Sequence, residues 1–413
     1  MMRRMPQPIH PRTTLLILTA LNFFNYIDRS ILFAVQPLVQ QEFHLTDERV
    51  GWLSSAFFIF YMLAAPFIGP LSDRTPRKLI IVTGALVWSG ATLLTAFTTD
   101  YWTLFIRHVI VGVGEATFVT VTPGYIADLF AEHRRGRMLA VFYLAIPVGT
   151  ACGYLLGGWL GPAHGWRMPF YVAAAPGVLL ACAFMFLREP ERGRTDTLQL
   201  TAERTTFTGL FRNRAYWTAS LGMAFLTFAL GGLQVWMPTF LYRVRGVSLQ
   251  HAGLIFGGIT VVSGIFATLL GGWLGDYYLR RTHRAYYLVS AVGMVLGLPA
   301  MAAAITLAGL PMYPAMFLAE FFLLLNTGPL NAAVVNSVGA SIRGTAIAVN
   351  LLTIHLLGDA FSPALIGWVS DRTSLQTGCA TTIVAIALSA AILFYGMRFA
   401  PPVPAEPNLP VAS

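Results

Sequence analysis

Twelve apolar segments, each about as long as a membrane-spanning helix, constrain this chain more than any other feature of its sequence. A helix needs about 20 apolar residues to cross the hydrocarbon core of a bilayer. We therefore predict an all-α membrane protein with twelve transmembrane helices, which we number as spans one to twelve. They lie at residues 15–38, 50–72, 79–98, 102–127, 138–160, 168–187, 215–238, 252–275, 285–308, 313–338, 344–368 and 376–397.

The composition leaves no room for a large soluble domain. Of the 413 residues, 56% are hydrophobic and only 11% are charged, whereas a soluble protein has about 25% charged residues. Cys152, Cys182 and Cys379 all fall inside predicted helices, without metal-ligand spacing. The sequence also lacks a GxxxxGK[ST] phosphate-binding loop. We expect no metal site, no organic cofactor, no ATP-driven pumping and no enzymatic activity.

The basic residues predict the orientation in the membrane. Twenty of the 27 lysines and arginines fall on one side of the predicted topology and five on the other. By the positive-inside rule, both termini are cytoplasmic in a multi-pass protein of the inner membrane. The net charge of +9 then reflects topology and contact with membrane lipids, and not nucleic-acid binding. The first apolar run is too long and too charged for a signal peptide, so we predict a retained helix.

The sequence consists of two halves with similar motifs at matching positions. Its longest polar interval, 188–214, predicts a cytoplasmic linker between six-helix bundles at 1–187 and 215–398, with a tail at 399–413. Span two is followed by Gly69-Pro70-Leu71-Ser72-Asp73-Arg74, and span eight by Gly272-Trp273-Leu274-Gly275-Asp276. In both, a glycine stands four residues before an aspartate and basic residues follow. Pseudo-symmetric bundles of this kind place their substrate site near the midplane between the repeats.

Several segments, in order along the whole chain, resemble one family of transporters. Residues 69–78 resemble the loop motif of the major facilitator superfamily, with Pro76 where that motif usually has glycine. The other segments are similar to those of its Spinster family of lipid and lysolipid transporters, and the short termini are similar to those of bacterial members. These segments are Asn25-Tyr26-Ile27-Asp28-Arg29, Val111-Gly112-Val113-Gly114-Glu115-Ala116, Ile126-Ala127-Asp128-Leu129-Phe130, 142–149, Arg188-Glu189-Pro190 and 355–363.

The resemblance implies a fold and a function. It implies two six-helix bundles and proton-coupled transport of an amphipathic lipid, either a lysophospholipid or a sphingoid-type lipid, by alternating access. Protons are then the coupling ion, and we expect a monomer. The duplicated loops are expected to lock helix ends when the cytoplasmic side is shut; the alternative is a basic loop that only sets topology. The residues of this gate motif are Gly69, Asp73, Arg74, Arg77, Lys78, Asp276 and Arg280.

Two adjacent charges, Asp28 and Arg29, lie in the middle of span one. One ionised residue at the centre of a membrane helix costs about 2.5–3.5 kcal/mol on insertion scales, so such residues usually border a polar interior. Asn22, Arg29 and Gln36 are seven residues apart and share a helix stripe, with Asn25 and Asp28 beside them. We predict that this stripe lines a cavity. The alternative is a static Asp28–Arg29 pair, although adjacent residues project about 100° apart.

Glu115 lies near the middle of span four, at the depth of Asp28, after two glycines that favour close helix packing. The resemblance implies that Glu115 bridges to Arg29 in one state and exchanges a proton in another. The alternative is a buried glutamate that stabilises the bundle. The family usually has an arginine seven residues before this glutamate, where this chain has His108. Either His108 is a titratable partner, or Arg107 reaches round to the cavity, or His108 is a structural residue near the outer interface.

The second half offers weaker candidates. His355 and Asp359 are four residues apart on span eleven and would share a helix face, for ion coupling or for a structural hydrogen bond. Glu320 on span ten is a candidate outer-gate residue. Asn326, Asn331 and Gln234 are candidate pathway residues.

Two alternatives to lipid transport stay open. The same fold could carry a small organic anion or a drug-like molecule, since Arg29 would suit any anion. The chain could also be a receptor or scaffold that binds without transport, against which the duplicated gate motif argues. Aromatic residues make up 13% of the chain, and we expect most of them to face lipid or to pack between helices.

Overall fold

The computed structural model describes residues 10–130, 132–192, 208–338 and 342–401, and every regular element in these ranges is a helix. The first half contains six long helices: α1 (Pro11–Phe43), α2 (Asp47–Arg74), α3 (Arg77–Thr95), α4 (Tyr101–Leu129), α5 (Glu132–His164) and α6 (Met168–Met185). The second half follows a short α7 (Thr208–Arg212) and contains α8 (Arg214–Arg243), α9 (Leu249–Leu279), α10 (Ala285–Thr306), α11 (Met312–Leu324), α12 (Thr327–Asn336), α13 (Arg343–Ile354), α14 (Ser362–Arg372) and α15 (Leu375–Gly396).

Twelve helical stretches in the described part are long and apolar enough to cross a membrane, by length and composition. They coincide with the twelve predicted spans, so the predicted fold class is confirmed. Span ten consists of α11 and α12, and span eleven of α13 and α14. The cytoplasmic position of the termini stays a prediction, and the ends of the helices are named here by that predicted topology.

Short polar signals set where the helices begin. The Thr46 hydroxyl accepts a hydrogen bond from the backbone N–H of Arg49 at the start of α2. The Asp100 carboxylate accepts from the backbone N–H groups of Trp102 and Thr103 at the start of α4. These caps satisfy amides that have no partner inside the helix. Pro76 separates α2 from α3, because a residue before proline favours an extended backbone, and Thr75 has φ −122° and ψ 158°.

The chain forms two compact units. The first contains Met1–Thr201, Leu230–Val261 and Asp359–Thr381, and the second contains Ala202–Ala229, Val262–Gly358 and Thr382–Ser413. The predicted-outer parts of α8, α9 and span eleven therefore belong to the same unit as the first six helices. The predicted division at the 188–214 linker describes the duplication of the sequence and stays a prediction; residues 193–207 and 402–413 lie outside the described ranges.

In the first unit, α1 packs on α5 through glycines. A Cβ added to Gly149 would lie 2.5 Å from the Phe23 carbonyl oxygen, and one added to Gly153 would lie 2.6 Å from the Ile27 carbonyl oxygen. Only glycine permits so close an approach of two backbones. Elsewhere in this unit, Trp88 and Phe118 are fully buried in an apolar core and meet edge to face at 5.3 Å. The glycine contacts of α5 with Phe23 and Ile27 fix the rotation of α1 and therefore the direction of its polar side chains.

Span eleven is not a regular helix. Residues His355–Asp359 form a π-helical turn between α13 and α14, and Gly358 has non-helical φ −104° and ψ −105°. The expectation that His355 and Asp359 share one helix face, for ion coupling or for a structural hydrogen bond, stays a prediction. In the second unit, Gly358 packs against α8, where an added Cβ would lie 2.9 Å from the Ala224 carbonyl oxygen.

Candidate functional site

An ion pair between α1 and α4 lies at the centre of the first unit. Arg29 Nη2 donates to Glu115 Oε2 over 2.7 Å. The Glu115 side chain is fully buried, and the Arg29 side chain is 14% exposed. The structure thus brings together the two residues that the resemblance paired. Arg29 Nε and Glu115 Oε1 have no hydrogen-bond partner among the described residues, so both groups keep unused hydrogen-bonding capacity.

Aromatic rings enclose the Arg29 guanidinium. Its central carbon lies 4.5 Å from the ring centroid of Phe57, 4.7 Å from Tyr26, 5.6 Å from Tyr61 and 5.9 Å from Phe58. The faces of aromatic rings attract cations, and more strongly where water is excluded. Sequence analysis missed this arrangement because it treated aromatic residues as lipid-facing or packing. The one sequence feature that indicated an aromatic ring beside Arg29 was Tyr26, one helical turn earlier on α1.

Asp28 points to a different neighbour. The Thr92 hydroxyl on α3 donates to Asp28 Oδ2 over 3.2 Å. The other carboxylate oxygen has no partner among the described residues, and Asp28 is 4% exposed. Asp28 and Arg29 therefore diverge, as expected for adjacent helical residues. No hydrogen bond or ion pair joins them in the described part of the chain, so the alternative of a static pair does not apply.

The polar stripe of α1 is buried inside the bundle. Asn22 Nδ2 donates to the Phe142 carbonyl oxygen of α5 over 3.0 Å. Asn25 is fully buried beside Glu115. Gln36 is 2% exposed, and neither atom of its amide group has a partner among the described residues. That the stripe lines a cavity stays a prediction, and the amide of Asn22 is bound by the backbone of α5.

Neither residue proposed to replace the family arginine contacts Glu115. His108 is 5% exposed and packs edge-on to Phe57, with ring centroids 6.3 Å apart. Its Nδ1 atom has no partner among the described residues. Arg107 is half-buried, and within the described ranges no hydrogen bond or ion pair involves it. The basic partner of Glu115 is Arg29 of α1.

Asp359 of span eleven lies near the aromatic residues that surround Arg29. It is 6% exposed and interacts electrostatically with Tyr26 and Tyr61. A Cβ on Gly231 of α8 would lie 2.3 Å from the Asp359 Cβ, so this glycine makes room for the aspartate. The next residue, Ala360, belongs to the apolar core that contains Phe57. Asp359 is therefore a fourth charged residue in the region of Arg29, Glu115 and Asp28.

The other candidates of the second half have local partners. Glu320 is 6% exposed and accepts a hydrogen bond from the Ser263 hydroxyl over 3.2 Å. Asn326 Nδ2 donates to the Phe322 carbonyl oxygen over 2.8 Å at the junction of α11 and α12. Asn331 Nδ2 likewise donates to the carbonyl oxygen four residues earlier over 2.7 Å and is exposed. Asn326 and Asn331 thus satisfy backbone carbonyls of their own span.

Gln234 of α8 contributes through its backbone. Its carbonyl oxygen accepts a hydrogen bond from the Tyr154 hydroxyl of α5 over 2.7 Å, and its side chain is half-buried. Tyr154 is fully buried. This contact holds α8 to α5 within the first unit.

The gate motif of the first half forms a dense charge network. Arg77 Nη1 lies 2.5 Å from Asp128 Oδ2 of α4, and Arg77 Nε lies 3.4 Å from Glu189 Oε1. Glu189 also accepts from the backbone N–H groups of Arg77 and Lys78 over 2.9 and 3.3 Å. Glu189 thereby caps α3 from the segment after α6. Lys78 Nζ donates to the Met185 and Leu187 carbonyl oxygens over 3.1 and 3.0 Å.

The remaining members of the gate motif are less tightly held. Gly69 has open space around it, and Arg74 is exposed at the end of α2. Asp73 falls in α2, and its side chain lies outside the described part of the structure. Asp276 is exposed and accepts from the Tyr286 hydroxyl over 3.0 Å. Arg280 is exposed and has no polar partner among the described residues.

A second polar cluster, missed by sequence analysis, closes the predicted-outer end of the first unit. Asp47 of α2 accepts from Arg243 of α8 over 2.6 and 3.2 Å, and from the Ser370 hydroxyl of α14 over 2.5 Å. Asp371 in turn accepts from the backbone N–H groups of Asp47 and Glu48, both over 2.8 Å. These contacts tie α2 to α8 and α14. The only feature of the local sequence that indicated a role for Asp47 was its place at the first position of α2.

The described residues contain no group of three or more His, Cys, Asp or Glu side chains that could hold a metal ion. The Arg29 site itself consists of ionisable and aromatic side chains. A carboxylate, a guanidinium and aromatic rings, buried at the middle of membrane spans, can exchange a proton and can bind an anion.

Comparison with known proteins identifies the family of the chain. The sequence model of the Major Facilitator Superfamily matches residues 18–363. The chain is 35% identical over 380 residues to protein spinster homolog 1 of Xenopus laevis, covering 86% of this chain and 72% of that protein. It is 34% identical over 380 residues to a sphingosine-1-phosphate transporter of Xenopus tropicalis, covering 87% of this chain and 74% of that protein.

The fold has a close counterpart among solved structures. A bacterial homolog of the human lysosomal transporter Spinster, in an inward-facing and unoccupied conformation, aligns with a TM-score of 0.86. It is 24% identical, and the alignment covers 94% of this chain and 97% of that one. A twelve-span protein with these matches is a membrane transporter and not an enzyme. The chain belongs to the Spinster family of the major facilitator superfamily.

Proposed function

We propose that this protein is a proton-coupled secondary transporter of amphipathic lipids with an anionic headgroup, working by alternating access in the inner membrane. The observation that carries the proposal is the buried Arg29–Glu115 ion pair within its aromatic enclosure. Ionisable residues at this depth are costly and mark ion or substrate pathways. The sphingosine-1-phosphate transporter among the relatives supports a lysolipid or sphingoid-type substrate.

Competition for Arg29 supplies the coupling. The Glu115 carboxylate occupies one side of the guanidinium, while Arg29 Nε has no partner among the described residues. When Glu115 takes a proton, its charge is lost and Arg29 can bind the substrate anion with charge-assisted hydrogen bonds. Binding of the anion displaces the carboxylate and favours its protonation. By linkage the two effects are equal, so the proton and the anion favour each other's binding.

This linkage gives the coupling a direction. A site that is loaded with both a proton and an anion has the same net charge as the empty ion pair. Both states are better suited to a low-dielectric environment than a half-loaded state, which leaves a charge unpaired. The proposal therefore predicts movement of substrate and proton in the same direction. Asp28, with one unpartnered carboxylate oxygen, is the candidate for a second proton.

Asp359 and the Asp47 cluster have supporting roles in this proposal. Asp359 places negative charge near Tyr26 and Tyr61, where it would stabilise a proton or a cationic group of the substrate. The Asp47–Arg243 contact would have to break whenever the site opens to the outer side.

The test is uptake by proteoliposomes under an imposed pH gradient. We expect tritiated lysophospholipid to enter, with protons moving in the same direction. Glu115→Gln should abolish acceleration by the gradient and leave exchange at equal pH, because the amide cannot gain or lose a proton. Glu42→Gln is the matched control, since Glu42 lies in an exposed ion pair with Arg167; it should keep the pH dependence.

Other outcomes would contradict the proposal. If a small organic anion competes for binding and no flux of lysophospholipid is seen, the organic-anion transporter is favoured. Binding without flux at any gradient would favour a receptor. An unaltered pH profile in Glu115→Gln would reduce Glu115 to a structural residue.

A further inference from the structure

A cavity of about 440 Å³ lies where α1 begins and α4 ends. It is far from the Arg29 site: Arg12 and Arg29 are 17 residues apart on α1, which is about 25 Å at 1.5 Å per residue. The described residues that line it are His10, Pro11, Arg12, Thr13, Leu129, Phe130 and Arg134.

The lining of this cavity combines basic and apolar side chains. Arg12 and Arg134 are exposed, and His10 stands beside them at the start of α1. None of the described lining residues is acidic. Arg12 has no polar partner within the described ranges. Leu129 and Phe130 supply an apolar wall, so the cavity suits a ligand with an anionic end and a hydrocarbon portion.

The position of the cavity along the spans indicates the ligand. Span one begins at Pro11 and span four ends at Leu129 by length and composition, so the cavity lies at the ends of these helices, which we place at the level of the lipid headgroups. By the predicted topology this is the cytoplasmic surface, where basic clusters attract anionic headgroups. A free phosphate ion would use the arginines but would leave the apolar wall in contact with water. A membrane phospholipid satisfies both parts of the cavity.

We propose that this cavity binds one anionic diacyl phospholipid of the surrounding membrane. Arg12 and Arg134 hold the phosphate, because one planar guanidinium group can donate hydrogen bonds to two phosphate oxygens at once. The proximal part of an acyl chain lies along Leu129 and Phe130. The bound lipid joins the start of the helix that carries Arg29 to the end of the helix that carries Glu115, so it acts as a resident lipid that stabilises the bundle.

Native mass spectrometry of the full chain in detergent tests this site without a transport assay. Phosphatidylglycerol and phosphatidylcholine with identical acyl chains are titrated separately. We expect the first phosphatidylglycerol to bind at least tenfold more tightly than phosphatidylcholine. Arg12→Gln combined with Arg134→Gln should lower that affinity about tenfold. Arg284→Gln combined with Arg398→Gln removes the same charge from two other exposed positions and should change it less than twofold.

Three results would overturn the proposal. The first is equal affinity for the two lipids. The second is an equal loss of phosphatidylglycerol affinity in the double variant and in its control. The third is displacement of the lipid by inorganic phosphate at a similar concentration. Should the double variant fail to purify, Arg12→Gln alone remains usable, because no described residue depends on that side chain. It should then reduce the increase in unfolding temperature that phosphatidylglycerol produces in the unmodified protein.

Discussion

The loop between α2 and α3 and the loop between α9 and α10 share a glycine-to-aspartate spacing, yet they are built differently. In the first loop, Arg77 is buried between Asp128 and Glu189, and Glu189 caps α3. In the second loop, Asp276 has one hydrogen bond to Tyr286, and Arg280 is exposed. The difference lies in what surrounds each motif, because within the described ranges only the first loop contacts carboxylates from two other segments of its own unit.

The locking role of the two loops stays a prediction, but their surroundings differ. The same short motif forms a packed network in one half and an exposed hydrogen bond in the other. Buried ion pairs are sensitive to the loss of one partner, whereas exposed charges contribute little. Substitutions at matching positions should therefore differ in cost, and the following experiments measure that difference.

The largest effect is expected at Arg77. Arg77→Gln removes the buried positive charge that pairs with the Asp128 carboxylate, whose side chain is 10% exposed, and with Glu189. Loss of one member of a buried pair costs about 3–5 kcal/mol. The free energy of unfolding, measured by denaturant titration in detergent, should fall by this amount. Arg280→Gln is the matched control in the second loop and should stay within about 0.5 kcal/mol; equal losses would remove the contrast.

A smaller effect is expected at Glu189. Glu189→Ala removes the acceptor for the first two backbone N–H groups of α3. Loss of a helix cap costs about 0.5–2 kcal/mol, and the weaker contact with Arg77 is lost as well. The same titration should show a loss in the upper half of that range. Glu191→Ala, two residues further along at an exposed position, should be close to neutral, and a matching loss there would argue against capping.

The smallest effect is expected at Tyr286. Tyr286→Phe removes only the hydrogen bond to the exposed Asp276. A net hydrogen bond contributes about 0.5–1.5 kcal/mol, and an exposed one lies at the low end. Asp276→Asn should cost still less, because an amide oxygen can accept the same bond. A loss above about 2 kcal/mol in either variant would show that the second loop is as tightly built as the first.

The sequence was sufficient for the fold because each span is long, apolar and bounded by polar residues. It was also sufficient to place Arg29 and Glu115 at one depth, since both lie midway along their spans. The ion pair itself was implied only by the family resemblance. The aromatic enclosure could not be predicted, because Phe57 and Tyr61 look the same in a sequence whether they face lipid, a neighbouring helix or a guanidinium.

The contacts that the sequence did not predict have a common physical cause. The Asn22 amide pairs with a backbone carbonyl of α5, which the polar stripe of α1 alone does not reveal. The π-helical turn between α13 and α14 likewise has no signal in the local sequence pattern. Asp47 and Glu189 were not assigned roles, because their partners lie up to 324 residues away along the chain.

The remote caps on α2 and α3 have a consequence for biogenesis. The first backbone amides of α2 bind Asp371, and those of α3 bind Glu189. Both carboxylates are synthesised well after the helices they cap. During insertion, α2 and α3 must therefore emerge with unsatisfied amides in the lipid–water interface, where water serves as a temporary partner. Chains truncated between spans six and eleven should expose the start of α2 to proteases and leave the start of α3 protected.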